Sequence, residues 1–212
     1  MRMLRVLLTS LLVLAPLAAH ANPQYQPMQE QSMQAPQVQS SQDVFSYSYL
    51  QVNRLSEHSD FFNDRSTGNG LRFSYGLASG VYLFGQWNQL DFSALPGHQV
   101  VTGVGVGAHQ AYSPTTSFFI SLEYLHDRLS SGILNGAMDK YWRVNYGFRR
   151  HIGSLFELDG SIFTDRNTNF GSRPFGEHLG IGLNMTKFGI MLAGEHTADG
   201  NRIEAYLNWY YR

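Results

Sequence analysis

The 212-residue chain has no cysteine, and only 15% of its residues are charged. The first absence excludes a disulfide scaffold, a thiolate metal site and a lipid-modified N-terminal cysteine. An excess of one sign is also missing. With 15 basic against 16 acidic residues and a net charge of -1, the chain lacks the electrostatic footprint of a nucleic-acid binder. No segment is apolar for the ~20 residues that a helical membrane span requires. What the chain has instead is 29 aromatic residues and 21 glycines.

The N-terminal 21 residues stand apart from the rest. Arg2 and Arg5 precede the apolar run Val6 to Ala15, and Pro16 leads to the small-residue end Ala19-His20-Ala21. The run is too short to span, and the end suits a signal peptidase, so residues 1–21 read as a secretory signal cleaved after Ala21. The 15 basic residues less Arg2 and Arg5 leave 13 against 16 acids, a mature charge of -3. Residues 22–42 hold eight Gln, three Pro and Glu30 as the one charge, a composition that cannot offset the entropy of ordering. They are expected to form a disordered tail, followed by a single domain over 43–212.

From Asp43 onward, apolar and polar residues alternate in runs of about ten, the period of strands. Strands are expected near 43–53, 69–78, 80–90, 100–110, 117–127, 140–149, 155–165, 177–185, 188–196 and 202–211. In nine of them one parity is uncharged at all 37 positions, from Leu71-Phe73-Tyr75-Leu77 to Ile203-Ala205-Leu207-Trp209-Tyr211. The opposite parity carries Arg72, Glu123, Arg143, Arg149, Glu157, Asp159, Glu195, Arg202 and Glu204. The first run is ambiguous, because Phe45, Tyr47 and Tyr49 share a parity with Gln51.

Period alone does not say which face is inside. A soluble barrel turns its apolar face inward, and a membrane barrel turns it outward. Three features favour the second. Links after even strands are short, whereas those after odd strands are mostly longer, over 54–68, 91–99, 128–139 and 166–176 with only the ninth, 197–201, compact, as in barrels with turns at one end and loops at the other. Aromatics sort by depth: Trp87, Tyr124 and Trp142 fall at the outer strand ends, and Phe118, Phe148, Phe156, Phe188, Trp209 and Tyr211 at the inner ends, the pattern of two interfacial girdles. Finally, the domain's 170 residues give 17 per strand and link for ten strands, enough for tilted membrane strands of ~9–11 residues. The expected fold is all-β, an up-and-down antiparallel transmembrane barrel of ten strands, with eight as the smaller alternative.

The segments VYLFGQWNQ (Val81 to Gln89), VTGVGVGAH (Val101 to His109) and YWRVNYGFR (Tyr141 to Arg149) resemble the small outer-membrane barrels grouped with opacity porins and the OmpA/OmpX-like proteins, most of all a ten-stranded, quorum-regulated subgroup. The resemblance covers about 43–212 and implies a Gram-negative outer membrane. It also implies outer-membrane lipid, periplasmic chaperones and the barrel assembly machinery as partners. Such chains usually end in an aromatic residue; here Tyr211 takes the outward parity and Arg212 follows.

Catalysis, a metal and a cofactor are not expected. His126-Asp127, Glu177-His178 and Glu195-His196 are adjacent pairs, and neighbours on a strand point to opposite faces. The histidines lack the i, i+2 spacing of two ligands on one face. The inward charges must pair, since an isolated ion in a shielded interior is costly. They imply either a plugged, structural interior or a narrow gated pore, with a lipid- or peptide-modifying enzyme as a remote alternative. Gly103, Gly105 and Gly107 leave inward space on strand 4 that either water or Tyr82, Phe84 and Phe119 must occupy. In the links, Phe61, Phe62, Phe92, Phe170 and Phe175 beside Asp64, Arg65, Arg166 and Arg173 offer a surface for an extracellular ligand.

Overall fold

The computed structural model describes residues 45–59, 64–77, 80–94, 96–131, 136–167, 172–198 and 200–211. The leader and tail expected over 1–42 lie outside them.

Ten strands follow one another along the chain: β1 (Tyr49–Ser59), β2 (Asp64–Gly76), β3 (Val81–Phe92), β4 (Gly97–Ser113), β5 (Thr116–Ser131), β6 (Ala137–Ile152), β7 (Phe156–Asn167), β8 (Ser172–Asn184), β9 (Phe188–Thr197) and β10 (Gly200–Tyr210). Each pairs antiparallel with its sequence neighbours, and β1 closes on β10 from Tyr49 opposite Tyr210 to Ser59 opposite Gly200. Closure leaves no unpaired sheet edge. Both barrel ends of the chain therefore meet at one rim, called here the terminal rim; the other is the far rim. Gly80 and Gly153 take the left-handed backbone (φ 76° and 68°) that the tight links at the terminal rim require.

The faces sort by parity. Outward side chains include Leu71, Leu83, Val104, Leu122, Val144, Ile162, Ile181, Leu192 and Leu207, all exposed. Inward positions bury Glu123, Arg149, Glu157 and Asp165, with 2% of Glu123 exposed. An interior that takes the charges and an exterior that presents the aliphatics is the reverse of a soluble barrel. The ambiguous first strand also resolves: Gln51 and Leu55 are buried and Leu50 and Val52 exposed, so the parity of Phe45, Tyr47 and Tyr49 points inward.

Two expectations are corrected. The links expected to be long at the far rim reduce to 60–63, 93–96, 132–136 and 168–171, because the strands continue through most of those residues. At the terminal rim β1 starts six residues later than expected, at Tyr49, and Phe45 to Ser48 form no strand. The reason for the first difference is a change in polarity along each strand. Beyond Trp87, Tyr124 and Trp142 the outward positions become polar, as at Gln89, Asp91, His126, Arg128 and Lys140. The inward positions become apolar, as at Leu55, Leu90, Val101, Leu125 and Tyr141, all buried. A pattern that inverts its faces reads as a loop when one parity is expected to stay apolar.

Candidate functional site

The nine inward charges named above all line one polar cavity of about 190 Å3 in the middle of the barrel. Alternation along the strands puts them there, since every other residue of a closed sheet points to the axis. A belt of charge crosses the barrel. Glu57 on β1 accepts from Arg202 Nη2 on β10 at 2.7 Å, and Arg202 Nη1 lies 3.8 Å from Glu195 on β9. Glu195 is also 3.8 Å from Arg143 Nη1 on β6, which reaches over β7 and β8 to meet it. Arg143 then donates twice to Asp165 on β7, Nε and Nη2 each at 2.8 Å, with its guanidinium 3.9 Å from the Phe163 ring centroid. Bidentate geometry and a stacked ring offset the desolvation of this buried pair.

Nearer the terminal rim, Arg149 donates to Glu157 Oε1 from Nε at 2.7 Å, and Asn184 Nδ2 donates to the other carboxylate oxygen. Tyr206 donates to Asp159 Oδ2 at 2.9 Å, and His178 Nε2 is 3.0 Å from Oδ1 of the same carboxylate. Asn53 Nδ2 and Gln51 Nε2 both donate to Glu204. Arg72 sits 4.6 Å over the Phe84 ring, and its Nε and Glu123 Oε1 have no hydrogen-bond partner among the described residues.

Below the cavity aromatic rings cluster inside the barrel. Phe45 stacks on His151 at 4.4 Å, and Tyr47 stacks on His109 at 3.8 Å and leans on Tyr82 at 4.9 Å. Phe119 packs on the same cluster. Arg149 fastens the segment by donating from Nη1 to the Ser46 carbonyl at 3.1 Å, and Ser74 Oγ donates to the Tyr47 carbonyl at 2.6 Å. The glycines of β4 are what let the rings in: a Cβ at Gly105 would lie 2.3 Å from Phe84 Cζ, and one at Gly107 would lie 2.2 Å from Tyr82 Cζ. Phe84 and Tyr82 occupy the space beside Gly105 and Gly107, and Glu123, Leu125 and Gln86 that beside Gly103.

The outward aromatics are also placed. At the terminal rim, Phe118, Phe156, Phe188, Trp209 and Tyr211 are exposed, Phe148 is half-buried, and Phe188 stacks on Trp209 at 6.5 Å. Tyr75 and Tyr112 join this ring by exposure and by position near the ends of β2 and β4. The other three correct the expectation: Trp87, Tyr124 and Trp142 lie mid-strand, since β3 runs on to Phe92, β5 to Ser131, and β6 begins back at Ala137. Tyr124 and Trp142 touch, with centroids 5.0 Å apart.

The His dipeptides split across the wall. His126 and His196 face out while Asp127 and Glu195 face in, and His178 faces in while Glu177 faces out. Glu57, Asp165 and His178 are interior groups that were not expected. The first lies in a segment read as a loop, and the last two stand on the inward parity of the strands expected over 155–165 and 177–185. Of the link residues, Phe175, Arg65 and Arg166 are exposed and Phe92 is half-buried; Phe61, Phe62, Phe170 and the side chains of Asp64 and Arg173 lie outside what is described.

No family model matches the sequence, and no curated protein matches it. Solved structures do match in fold. The NanC porin aligns with a TM-score of 0.51 over 76% of this chain and 100% of its own, at 12% identity. The N-terminal β-barrel domain of Pseudomonas aeruginosa OprF aligns at 0.43 over 78% and 100%, at 11% identity. The Neisserial surface protein A aligns at 0.41 over 78% and 98%, at 10% identity. The likeness is one of fold: this chain's closed, ten-stranded, up-and-down antiparallel sheet is a barrel of the outer-membrane type.

Proposed function

We propose that the chain is a non-enzymatic outer-membrane protein whose barrel is closed at the periplasmic end and braced inside by ion pairs, serving a structural or surface-interaction role. The observation that carries the reading is the ring stack of Phe45 and Tyr47 fastened under the charge belt by Arg149. A lumen crossed by Arg143–Asp165 and Arg202–Glu57 and sealed below by aromatics stiffens the wall and obstructs solute flow. In this reading the outward rings at Trp87–Tyr124–Trp142 and at Phe118–Phe148–Phe156–Phe188–Trp209–Tyr211 sit at the two lipid head-group levels, and the terminal rim faces the periplasm. Export by a signal cleaved after Ala21, an emerging Gln-rich tail, and handling by chaperones and the assembly machinery belong to the same proposal. The ten-strand count supports placing the chain with the ten-stranded, quorum-regulated relatives of the opacity porins. The His178–Asp159–Tyr206 network supports a locking role, since no nucleophile is bonded to His178 among the described residues.

A second reading, a narrow gated pore, is favoured by one observation. Five carboxylates and four guanidiniums line the cavity, a balance that would favour cations over anions. Single-channel recording on the refolded full chain separates the two. The closed reading expects silence from the wild type and steps from a Phe45→Ala/Tyr47→Ala double variant. Steady conductance in the wild type overturns it, and silence that persists in the double variant, in Glu123→Ala and in Arg143→Ala removes the pore.

A further inference from the structure

The wall over β8, β9, β10 and β1 differs from the rest of the outward surface in one glycine. Gly85 and Gly160 share the outward parity, and neighbouring rings cover them: a Cβ there would lie 2.5 Å from Phe73 Cε1 and 2.9 Å from Phe148 Cε1. A Cβ at Gly194 on β9 would meet nothing within 4 Å. The pit lies between Leu179 on β8 and Ile203 on β10, each directly opposite the glycine. At 60% exposed, Ile203 is the most exposed aliphatic side chain of these four strands. An outward acid and an outward base flank the pit. Glu177 on β8 makes no ion pair among the described residues. Arg54 on β1 is exposed, and its one side-chain hydrogen bond among them runs from Nη1 to Asn69 Oδ1 at 3.0 Å.

Strand tilt puts these groups at one height. Directly opposed residues climb from strand to strand: the row that starts at Tyr49 on β1 runs through Ser74, Phe84, Gly105, Glu123 and Arg143 to Asp165 on β7. Asp165 stands nine positions beyond Phe156, where β7 begins, so the row gains nine residues over six steps between strands. Glu177 is opposite His196, His196 opposite Asn201, and Asn201 opposite His58. Its equal in height on β1 therefore lies about four residues below His58, at Arg54. By the same rule Gly194 and Ile203 lie level with both. Trp87, opposite Leu71 and through it Val52, shares that height. Resting on the outer-membrane reading above, this is the outer head-group level. There β3 presents a ring to lipid, whereas β8 to β1 present an acid, an open glycine, a protruding aliphatic and a base.

Between apolar surfaces in lipid there is no hydrophobic driving force, so association rests on close approach at small residues and on polar pairing. A two-fold axis along the membrane normal, placed between β9 and β10, sets β9 of one copy against β10 of the other and β8 against β1. We infer that this face is where two copies of the chain associate in the membrane. Each Ile203 seats over the other copy's Gly194, and each Glu177 pairs with the other copy's Arg54.

The test is energy transfer between donor- and acceptor-labelled full chains, refolded into phosphatidylcholine vesicles and diluted with added lipid. The chain has no cysteine, so Thr186→Cys in the exposed link between β8 and β9 gives a single label. The labelled, otherwise unaltered chain is expected to transfer as a dimer. Gly194→Leu fills a pit where a Cβ meets none of the barrel's own atoms, and Glu177→Arg sets two bases against each other. Each should weaken association by about 10-fold. Exchanging the charges in Glu177→Arg/Arg54→Glu should restore it, and Val104→Leu, outward on β4, should leave it unchanged. Association at full strength in either single variant overturns the interface. So does failure of the exchanged pair to recover what Glu177→Arg loses. Folding of every variant is checked by the gel-mobility difference between boiled and unboiled samples. A wild type that shows no such difference and fails to enter the vesicles overturns the membrane reading itself, whereas one that enters them as a monomer overturns the interface alone.

Discussion

The half of the barrel next to the terminal rim and the half beyond Trp87, Tyr124 and Trp142 are built from the same ten strands with opposite rules. In the first, Leu122, Val144 and Ile162 face out and Glu123, Arg149 and Glu157 face in. In the second, Leu125, Tyr141 and Val101 pack together inside while His126, Arg128 and Lys140 face out. The hydrogen-bonded ladder runs through both without interruption, so backbone pairing is indifferent to the change. Side chains respond to what lies outside the wall. Against hydrocarbon the outward residue must be apolar, and polar groups can be satisfied only within the lumen. Against water the ordinary arrangement returns. The level at which the pattern inverts therefore marks where one solvent gives way to the other, and the aromatic pair Tyr124–Trp142 sits at that level.

The contrast can be broken at several points. The largest effect is expected inside the first half: Arg149→Ala leaves Glu157 buried without its cation and releases Ser46, and should cost about 3–5 kcal/mol in denaturant unfolding from vesicles. Inside the second half the sensitive group is apolar. Leu125, 1% exposed, should cost about 2–5 kcal/mol when truncated to Ala, and Leu125→Asn should do no better if the far half has an ordinary apolar interior. Outside, one substitution discriminates the halves. Leu122→Arg is expected to cost about 2–4 kcal/mol at mid-bilayer depth. His98→Arg, outward on β4 in the far half, should stay within about 0.5 kcal/mol. Equal costs at the two sites would mean that the wall does not divide as described. A smaller effect comes from Gly107→Leu, which drives a side chain into Tyr82 and should cost about 1–3 kcal/mol, visible as a lower unfolding midpoint.

Much of this was legible in the chain. Period two over 170 residues specified strands, and the parity of Arg72, Glu123, Arg143, Arg149, Glu157, Asp159, Glu195, Arg202 and Glu204 matches the side of the wall on which the cavity lies. Three features escaped for physical reasons. Outward residues turn polar before the strands end, so Glu57 falls in a segment that reads as a link, and Asp165 stands at the last position of its expected strand. His178 adjoins Glu177 in the sequence but faces the other side of the wall from it, whereas its partner Asp159 lies on the adjacent strand. Phe45 and Tyr47 were read as part of a strand, although their role is to turn under the barrel and stack on His151 and His109.

By itself the sequence determined the class of fold and the side of the wall for nearly every strand residue, because alternation is a local property and survives without knowledge of partners. Only the tertiary structure decided which charges meet. Arg143 reaches Glu195 across two intervening strands, and Arg202 pairs with Glu57 145 positions away in the chain. Closure of the sheet sets those neighbours through register and barrel diameter, neither of which is written in any one strand.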